Sequence, residues 1–460
     1  MNSQGKSGER GAGSGAVIAV VIIVVILVAL VFTLARNPAP GIKPAEAIKG
    51  IGLSRTVEFI VHDPRYDIKS VRINVGQNGR VFAVPVSLKR IPQPKGKGIS
   101  VLASARVGRR AVPQLREGRA TLGVTALNDS WGRFFRGGEA HLVLQVPVRF
   151  MPPQVEVLTT QHYINQGGCD MVVFNVSPGT VRSGVQVGSY FFPSWPISDA
   201  QPQTRLCIFA YPYNVDPATP AHIVAGDDAG NESVASFTYR VFPKKFHAST
   251  LAITDSFMQR VVPPILSQTT AIDDQGSLLK NYVAINHDLR IVDKKRLVQF
   301  SKETNPKLMW SQPFIQLANS KVESPFADFR TYTYNGQVID HEVHLGFDLA
   351  VVAHTPVVAA NDGQVIFAGW FDIFGNAVII DHGCGLQSLY GHLASWDVKP
   401  GELVKRGQVI AHSDSTGLAG GDHLHFGMYL DGIPVNPTEW WDPHWIHDRI
   451  MAKLQQFRQP

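Results

Sequence analysis

The most pronounced pattern along the chain is a run with no polar relief. Ala16 to Ala35 (AVIAVVIIVVILVALVFTLA) carries no charge. About 20 apolar residues are enough to cross a bilayer as a helix. The run is therefore expected to be a transmembrane anchor (16–35) behind a short cytoplasmic segment (1–15). Lys6 and Arg10 precede it and Arg36 and Lys43 come after, so flanking charge does not orient it. A cleaved signal peptide is the alternative, with Thr33-Leu34-Ala35 as its cleavage site, although the run exceeds the usual ~7–15 residues. Either reading sends everything after residue 40, from within the linker (36–50) onward, out of the cytoplasm, into a periplasm or outside the cell.

Beyond the linker the period changes to two. TVEFIVHD, SVRINVGQ, RVFAVPVSL, RATLGVTALND and EAHLVLQVPVRF alternate or run apolar between turn residues, as strands do. Met151-Pro152-Pro153 interrupts them, and QVEVLTT, DMVVFNVS, RLCIFAYP, AHIVAGDDAGN and ASFTYRVF form a second set. Each set closes with a strand, a polar turn (Leu127-Asn128-Asp129-Ser130, then Asp227 to Asn231) and a last strand. This is a repeat of roughly 95 residues, the size of an Ig-type sandwich. The ending VAGDDAGNESVASFTYRV resembles the last two strands of bacterial Ig-like domains. Two Ig-like modules are expected, over 51–150 and 151–243.

From Lys244 to Met309 the apolar positions recur at helical spacing, with Asp255 and Asp273/Asp274 as N-cap candidates and Pro263-Pro264 expected to interrupt the first helix. This pattern predicts a helical connector over 244–309. Its apolar faces need a partner, and the domain after it is the nearest, so the connector and the Ig-like modules are expected to position that domain and restrict its groove in part; a mere spacer reaching out from the membrane is the alternative. Strands return over 310–445 (PVVAANDGQVIFAGW, AVIIDHG, LQSLYGHLA, QVIAHSD, HLHFGMYLDGIPV), broken by frequent glycines, as in a compact antiparallel sheet. Residues 446–460 are expected to be a C-terminal tail. The fold class is mainly β.

Composition adds limits. The chain has 460 residues, 44% hydrophobic and 17% charged, which describes folded domains and not disorder. The net charge of +6 is spread along the chain without a basic stripe interleaved with aromatics, so nucleic acid is not expected as a partner. Of the three cysteines, Cys169 and Cys207 fall in one module, where either a disulfide or two buried thiols would fit. No pair has the close spacing of a cysteine zinc site.

Two segments carry chemistry: His344-Leu345-Gly346-Phe347-Asp348 and His423-Leu424-His425-Phe426. On a strand, His344 and Asp348 share a face, as do His423 and His425, while Leu345, Phe347, Leu424 and Phe426 point to a core. Gly346 keeps space open on the polar face. Zinc favours histidine nitrogen and carboxylate oxygen, and catalytic sites use three protein ligands and a water. His344, Asp348 and His425 would hold it with a net charge of about +1, able to lower the pKa of a bound water toward ~7. His423 lies beside them, and His392 in Tyr390-Gly391-His392-Leu393 adds an imidazole from a separate strand. His341-Glu342-Val343-His344 is not a zincin motif, because its histidines are three apart and not four. His287, His382 and His412 read as structural.

Taken together, HLGFD, YGHL, the Gly401–Ile410 run and GGDHLHFGM resemble lysostaphin-type peptidoglycan endopeptidases in order and spacing. The resemblance covers the last third of the chain. It implies a small antiparallel β-sheet metallopeptidase domain with a groove, one Zn2+ per chain on His344, Asp348 and His425, and catalytic roles for His392 and His423. It also implies peptidoglycan as substrate, cut at cross-links or stem peptides during cell-wall remodelling; the apolar run separately predicts engagement of the inner membrane through the N-terminal helix. Where the family commonly has Ser-Gly-x-Thr-Gly, this chain has Ser413-Asp414-Ser415-Thr416-Gly417; Asp tolerates a left-handed turn, so the change is expected to touch only the groove rim. A wall-peptide binding protein and an adhesive scaffold are the rival readings, and neither requires five metal-competent and acid/base groups.

Overall fold

The computed structural model describes residues 21–31, 39–94, 98–130 and 137–457. Val21–Val31 of the apolar run is helical, while residues 1–20 and 32–38, including the rest of the expected anchor, lie outside the described residues. Among the described residues no helix is long and apolar enough to cross a membrane. The structure is mainly β and divides into two compact units, 1–152 with 226–232, and 153–225 with 233–460.

The first unit holds β1 (Gly41–Pro44), β2 (Arg55–Asp63), β3 (Ile68–Gln77), β4 (Arg80–Val84), β5 (Val86–Ile91), β6 (Ile99–Val107), β7 (Gly118–Asn128) and β8 (Glu139–Val148). They form two four-stranded antiparallel sheets, ordered β1-β2-β6-β5 and β4-β3-β7-β8. Along β2 and β7 every second residue is buried, so one face of each sheet supplies the core, with Phe59, Val61, Val75 and Leu122 at its centre. β1 starts inside the stretch read as linker, because Gly41–Pro44 pairs with β2 and Ile42 packs on this core.

A second pair of sheets comes next: β9 (Val155–Val157), β10 (Tyr163–Asn165), β11 (Cys169–Val176), β12 (Thr180–Val187), β13 (Tyr190–Pro193), β14 (Trp195–Pro196), β15 (Thr204–Ala210), β16 (Ala221–Asp227), β17 (Glu232–Ala235) and β18 (Arg240–Phe242). The sheets are ordered β14-β15-β11-β9 and β13-β12-β16-β17, with β10 and β18 paired apart. Cys169 faces Ala210 and Cys207 faces Val172 across β11 and β15. A three-residue offset is about 10 Å along a strand, beyond disulfide reach. Both are buried free thiols.

The connector is not wholly helical. It opens with β19 (Ala248–Ala252), which runs parallel to β21 (Asp328–Tyr334) and so joins the sheet of the following domain. Then come α1 (Asp255–Gln268), α2 (Leu278–Ala284) and α3 (Arg290–Ser301). Thr254 and Ser277 are the N-caps, in place of the expected aspartates, because their hydroxyls accept from Phe257 N and Lys280 N. α1 also continues through Pro263 and Pro264. Its buried face (Met258, Val261, Val262, Ile265) packs with Tyr282, Tyr332 and Ile373, and that burial holds the helix where proline removes backbone donors.

The remaining strands are β20 (Lys321–Ser324), β22 (Gln337–His344), β23 (Phe347–Ala350), β24 (Pro356–Val358), β25 (Gly363–Trp370), β26 (Asn376–Asp381), β27 (Leu386–Trp396), β28 (Leu403–Val404), β29 (Val409–Ser413), β30 (His423–Leu430) and β31 (Ile433–Val435). β22 pairs with β21, while the others form a ten-stranded sheet whose spine is β20-β23-β30-β27-β26-β25-β28. The segment read as a tail is packed: Ile446, Ile450 and Leu454 are buried, and Lys453 Nζ reaches Asp170 Oδ1 at 2.5 Å.

Candidate metal centre

The sheet register sets the site. β23 pairs with β30 so that Asp348 lies opposite His425, and β27 pairs with β30 so that Gly391 lies opposite the same histidine. His423 and His425 share one face of β30, and Leu424 and Phe426 are buried on the other, as period two requires. His344 and Asp348 are not on one strand. β22 ends at His344, the chain bends at Leu345-Gly346, and β23 begins at Phe347. The bend still brings them together. His344 Nε2 is 2.9 Å from Asp348 Oδ1, His425 Nδ1 is 3.0 Å from that oxygen, and the two nitrogens are 3.1 Å apart.

These three atoms carry the lone pairs of a metal donor set. A tetrahedral zinc site with bonds of about 2.0–2.1 Å has ligand–ligand edges of about 3.3 Å, close to the triangle seen here. His344 Nδ1 lies 3.1 Å from Pro325 O, so it donates there and leaves Nε2 as a donor atom for a metal. His425 Nε2 is buried without a hydrogen-bond partner. A Cβ on Gly346 would sit 2.4 Å from that nitrogen, which gives the glycine its reason. The residues fit a zinc ion. A second carboxylate–histidine group, His287, Asp340 and Glu342, is only partly buried, and there His287 pairs with Glu342 at 2.8 Å.

His423 and His392 flank the triad. His423 Nδ1 donates to Gly421 O (2.8 Å) and its Nε2 is 3.4 Å from Asp348 Oδ1. His392 has φ +61° and its Nδ1 donates to Thr416 O (2.7 Å). Its ring stands 4.7 Å from that of His423 and 5.9 Å from that of His425. Burial by itself would raise the Asp348 carboxyl, but His344, then His423 and His425, hold it well below the usual carboxylate range. Burial pushes His425 down to about 4, and burial with His423 and His425 pushes His392 well below its usual value. Burial opposes protonation of His423 too, yet Asp348 and the Gly421 carbonyl outweigh it and raise the pKa.

All five expected residues thus converge. His382 is structural, buried with Nδ1 donating to Asp362 O and Nε2 against Ser388 Oγ. His341 and His344 sit on strand β22, where a helical zincin pair has no place. Asp414 is not in a left-handed turn; it bridges to His423, and Gly417 takes the positive φ. Sequence reasoning missed Arg330. Its Nη2 donates to Asp348 Oδ2 (3.1 Å) and Ser324 Oγ (2.6 Å), and its Nε to Asp328 Oδ2 (3.1 Å). The signal was there: Asp328 and Arg330 fall on one face of a strand otherwise lined by aromatic and threonine residues.

The stretch holding the triad, residues 342–437, matches the model of peptidase family M23. The chain carries an M23 domain. A DD-carboxypeptidase/endopeptidase of Neisseria meningitidis is 37% identical over 122 residues, 26% of this chain and 27% of that protein. A peptidoglycan DD-endopeptidase of Vibrio cholerae is 35% identical over 122 residues, 26% of this chain and 28% of that protein. The chain thus spans about a quarter of the length of these relatives. The catalytic domain of lysostaphin from Staphylococcus simulans is 29% identical, with 27% of this chain and 92% of that one covered and a TM-score of 0.24. Two of the cavities among the described residues reach the metal-competent groups. One of about 90 Å³ is lined by the five site residues and Arg290, and one of about 370 Å³ lies between the connector and β21.

Proposed function

We propose that this chain is a zinc metalloendopeptidase that hydrolyses peptide bonds of peptidoglycan, in cross-links or stem peptides, during cell-wall remodelling. The observation that carries the reading is the triangle of His344 Nε2, Asp348 Oδ1 and His425 Nδ1, with edges of 2.9–3.1 Å, inside an M23 domain. The names of the relatives support the choice of substrate. Residues 16–35 are proposed to anchor the chain in the cytoplasmic membrane, with its bulk in the periplasm or outside the cell. The two sandwiches are proposed as Ig-like modules. Lettered along the chain, both have the sheet orders ABED and C′CFG, close to those of Ig-type domains.

His344, Asp348 and His425 would hold the ion, and Arg330 would fix the Asp348 carboxylate by occupying its other oxygen. When bound, zinc supplies Lewis acidity and the means to activate water at neutral pH. His392 and His423 each spend Nδ1 on a backbone carbonyl, so each turns Nε2 toward the reacting groups. From there they would orient the attacking water, stabilise the developing oxyanion and deliver a proton to the leaving amine.

The test is digestion of purified walls by the zinc-loaded chain, with muropeptides read by mass spectrometry. His344→Ala, Asp348→Ala and His425→Ala are expected to lose zinc. His423→Ala and His392→Ala should keep it while cleavage falls by ~10²–10⁴. Full zinc occupancy in all three ligand variants, or undiminished cleavage by either histidine variant, would refute the corresponding role.

A further inference from the structure

Two guanidiniums line the 90 Å³ cavity, and they differ in what they already hold. Arg330 is committed to Asp328, Asp348 and Ser324. Arg290, the first residue of α3, has one side-chain acceptor, Asn286 Oδ1, 3.2 Å from its Nη2. Among the described residues no carboxylate lies within ion-pairing distance of it, and its Nε is buried without a hydrogen-bond partner. Asn286 is itself oriented, since its Nδ2 donates to Asp340 Oδ2 at 2.8 Å and thereby turns Oδ1 toward Arg290. The guanidinium is therefore held in one pose with donors to spare.

A buried N–H without an acceptor is costly, and a cation held in a cavity wall calls for an anion. A guanidinium fork fits the two oxygens of a carboxylate with two parallel hydrogen bonds. Arg290 also lines the 370 Å³ cavity that shares Asp348 and His423, so a ligand reaching the metal ligands from that side passes it. We propose that Arg290 is a specificity-determining residue, which receives a free carboxylate on the substrate residue flanking the scissile amide. The inference rests on the peptidase reading above. It gives the connector a part in recognition: its helix α3 supplies the group that selects what enters the cavity.

The test uses the full chain, zinc-loaded, with His423→Ala to prevent turnover, and binding read by fluorescence anisotropy. The probes are a labelled cross-linked muropeptide whose carboxyl next to the scissile amide is free, and the same compound with that carboxyl converted to carboxamide. The carboxylate form is expected to bind about tenfold or more tightly than the carboxamide. Arg290→Gln should remove that difference, and Arg290→Lys, which keeps charge but loses the fork, should retain part of it. Zinc content and melting temperature of each variant establish that it is folded. Equal affinities in the Arg290 chain, no binding of either probe, or tighter binding of both by Arg290→Gln (a residue that merely fills the groove) would overturn the proposal. Cleavage of the same probes by the chain without His423→Ala reports on the reaction separately. Cleavage with no carboxylate preference sinks only the role of Arg290. An Arg290-dependent preference without cleavage sinks only the reaction.

Discussion

The two sandwich modules have the same strand order and opposite surroundings. In the first, β2 and β7 alternate buried and open positions, so each sheet has one core face and one face toward water. In the second, all but one residue of β11 is buried, as are the last five residues of β15. The apolar cluster of this module runs without a break into the M23 domain, joining Met171 and Phe174 to Trp310, Phe314, Trp440 and Leu454. Polar ties cross the same seam. Lys453 Nζ meets Asp170 Oδ1 and Met171 O, while the buried Glu439 accepts from Asn165 Nδ2 and Cys169 N, each at 2.8 Å. One topology has thus been used with a core of its own and as a wall of a larger core. The sequence difference behind this is simple: alternation means one covered face, and a continuous apolar run means two.

The strongest way to break that distinction is Lys453→Met. It leaves Asp170, which is fully buried, without its cation. Removing one partner of a buried pair costs about 3–5 kcal/mol. Calorimetry should show the transition of the M23-containing unit moving down in temperature, with wall cleavage lost in parallel, while the transition of the first unit stays put. Converting both partners to apolar residues should recover much of the loss. If Lys453→Met left the M23 transition unmoved, the second module would have a core of its own like the first.

Phe59→Ala is the converse. Phe59 is fully buried in the first unit, and its truncation costs about 3–5 kcal/mol there. Because that unit has its own core, zinc content and muropeptide cleavage should change by less than about twofold. A parallel loss of zinc would show that the two units fold as one.

How much of this was legible depends on the kind of signal each element carries. β6, β12 and β13 fell outside the expected strands, but strands such as β2, β3, β7, β8, β11, β15 and β16 were readable, as was the grouping of the five expected residues, because period two and the local HxxxD, YGHL and HxH spacings are short-range features. β19 was not, since a five-residue strand pairing with a partner some 80 positions away leaves no local mark. The bend at Leu345-Gly346 was not read either: on a straight strand His344 and Asp348 share a face but stand about 13 Å apart, so it is the bend that brings them into contact. Asp255 looked like a cap, but the chain enters the helix one residue earlier, at Thr254. Cys169 and Cys207 share a module, yet only the β11–β15 register says that they cannot meet. The packed tail was missed because Lys453 reads as surface until Asp170 is found beneath it.

The smallest effect concerns pH and sharpens the comparison at the seam itself. Asp431, in the turn between β30 and β31, is pushed up to about 8 by burial and by the nearby Asp381, and burial raises Glu439 to about 7. Both groups keep a proton in the folded state that they would lose from the unfolded chain near pH 4. Folding therefore takes up protons between those values. Their stabilising protonation is complete at acid pH, falls away as pH rises, and is gone once pH passes the folded pKa of each. Between pH 7 and pH 8 the slope from Asp431 is at most about 1.4 kcal/mol per pH unit. The melting temperature of the M23-containing unit should decline over that interval. Asp431→Asn, which keeps the shape and suits the positive φ (52°) at this position, should flatten the decline. A melting profile with the same slope in Asp431→Asn and the parent chain would mean that Asp431 is already ionised in the fold, and that the pH dependence of the seam lies with Glu439.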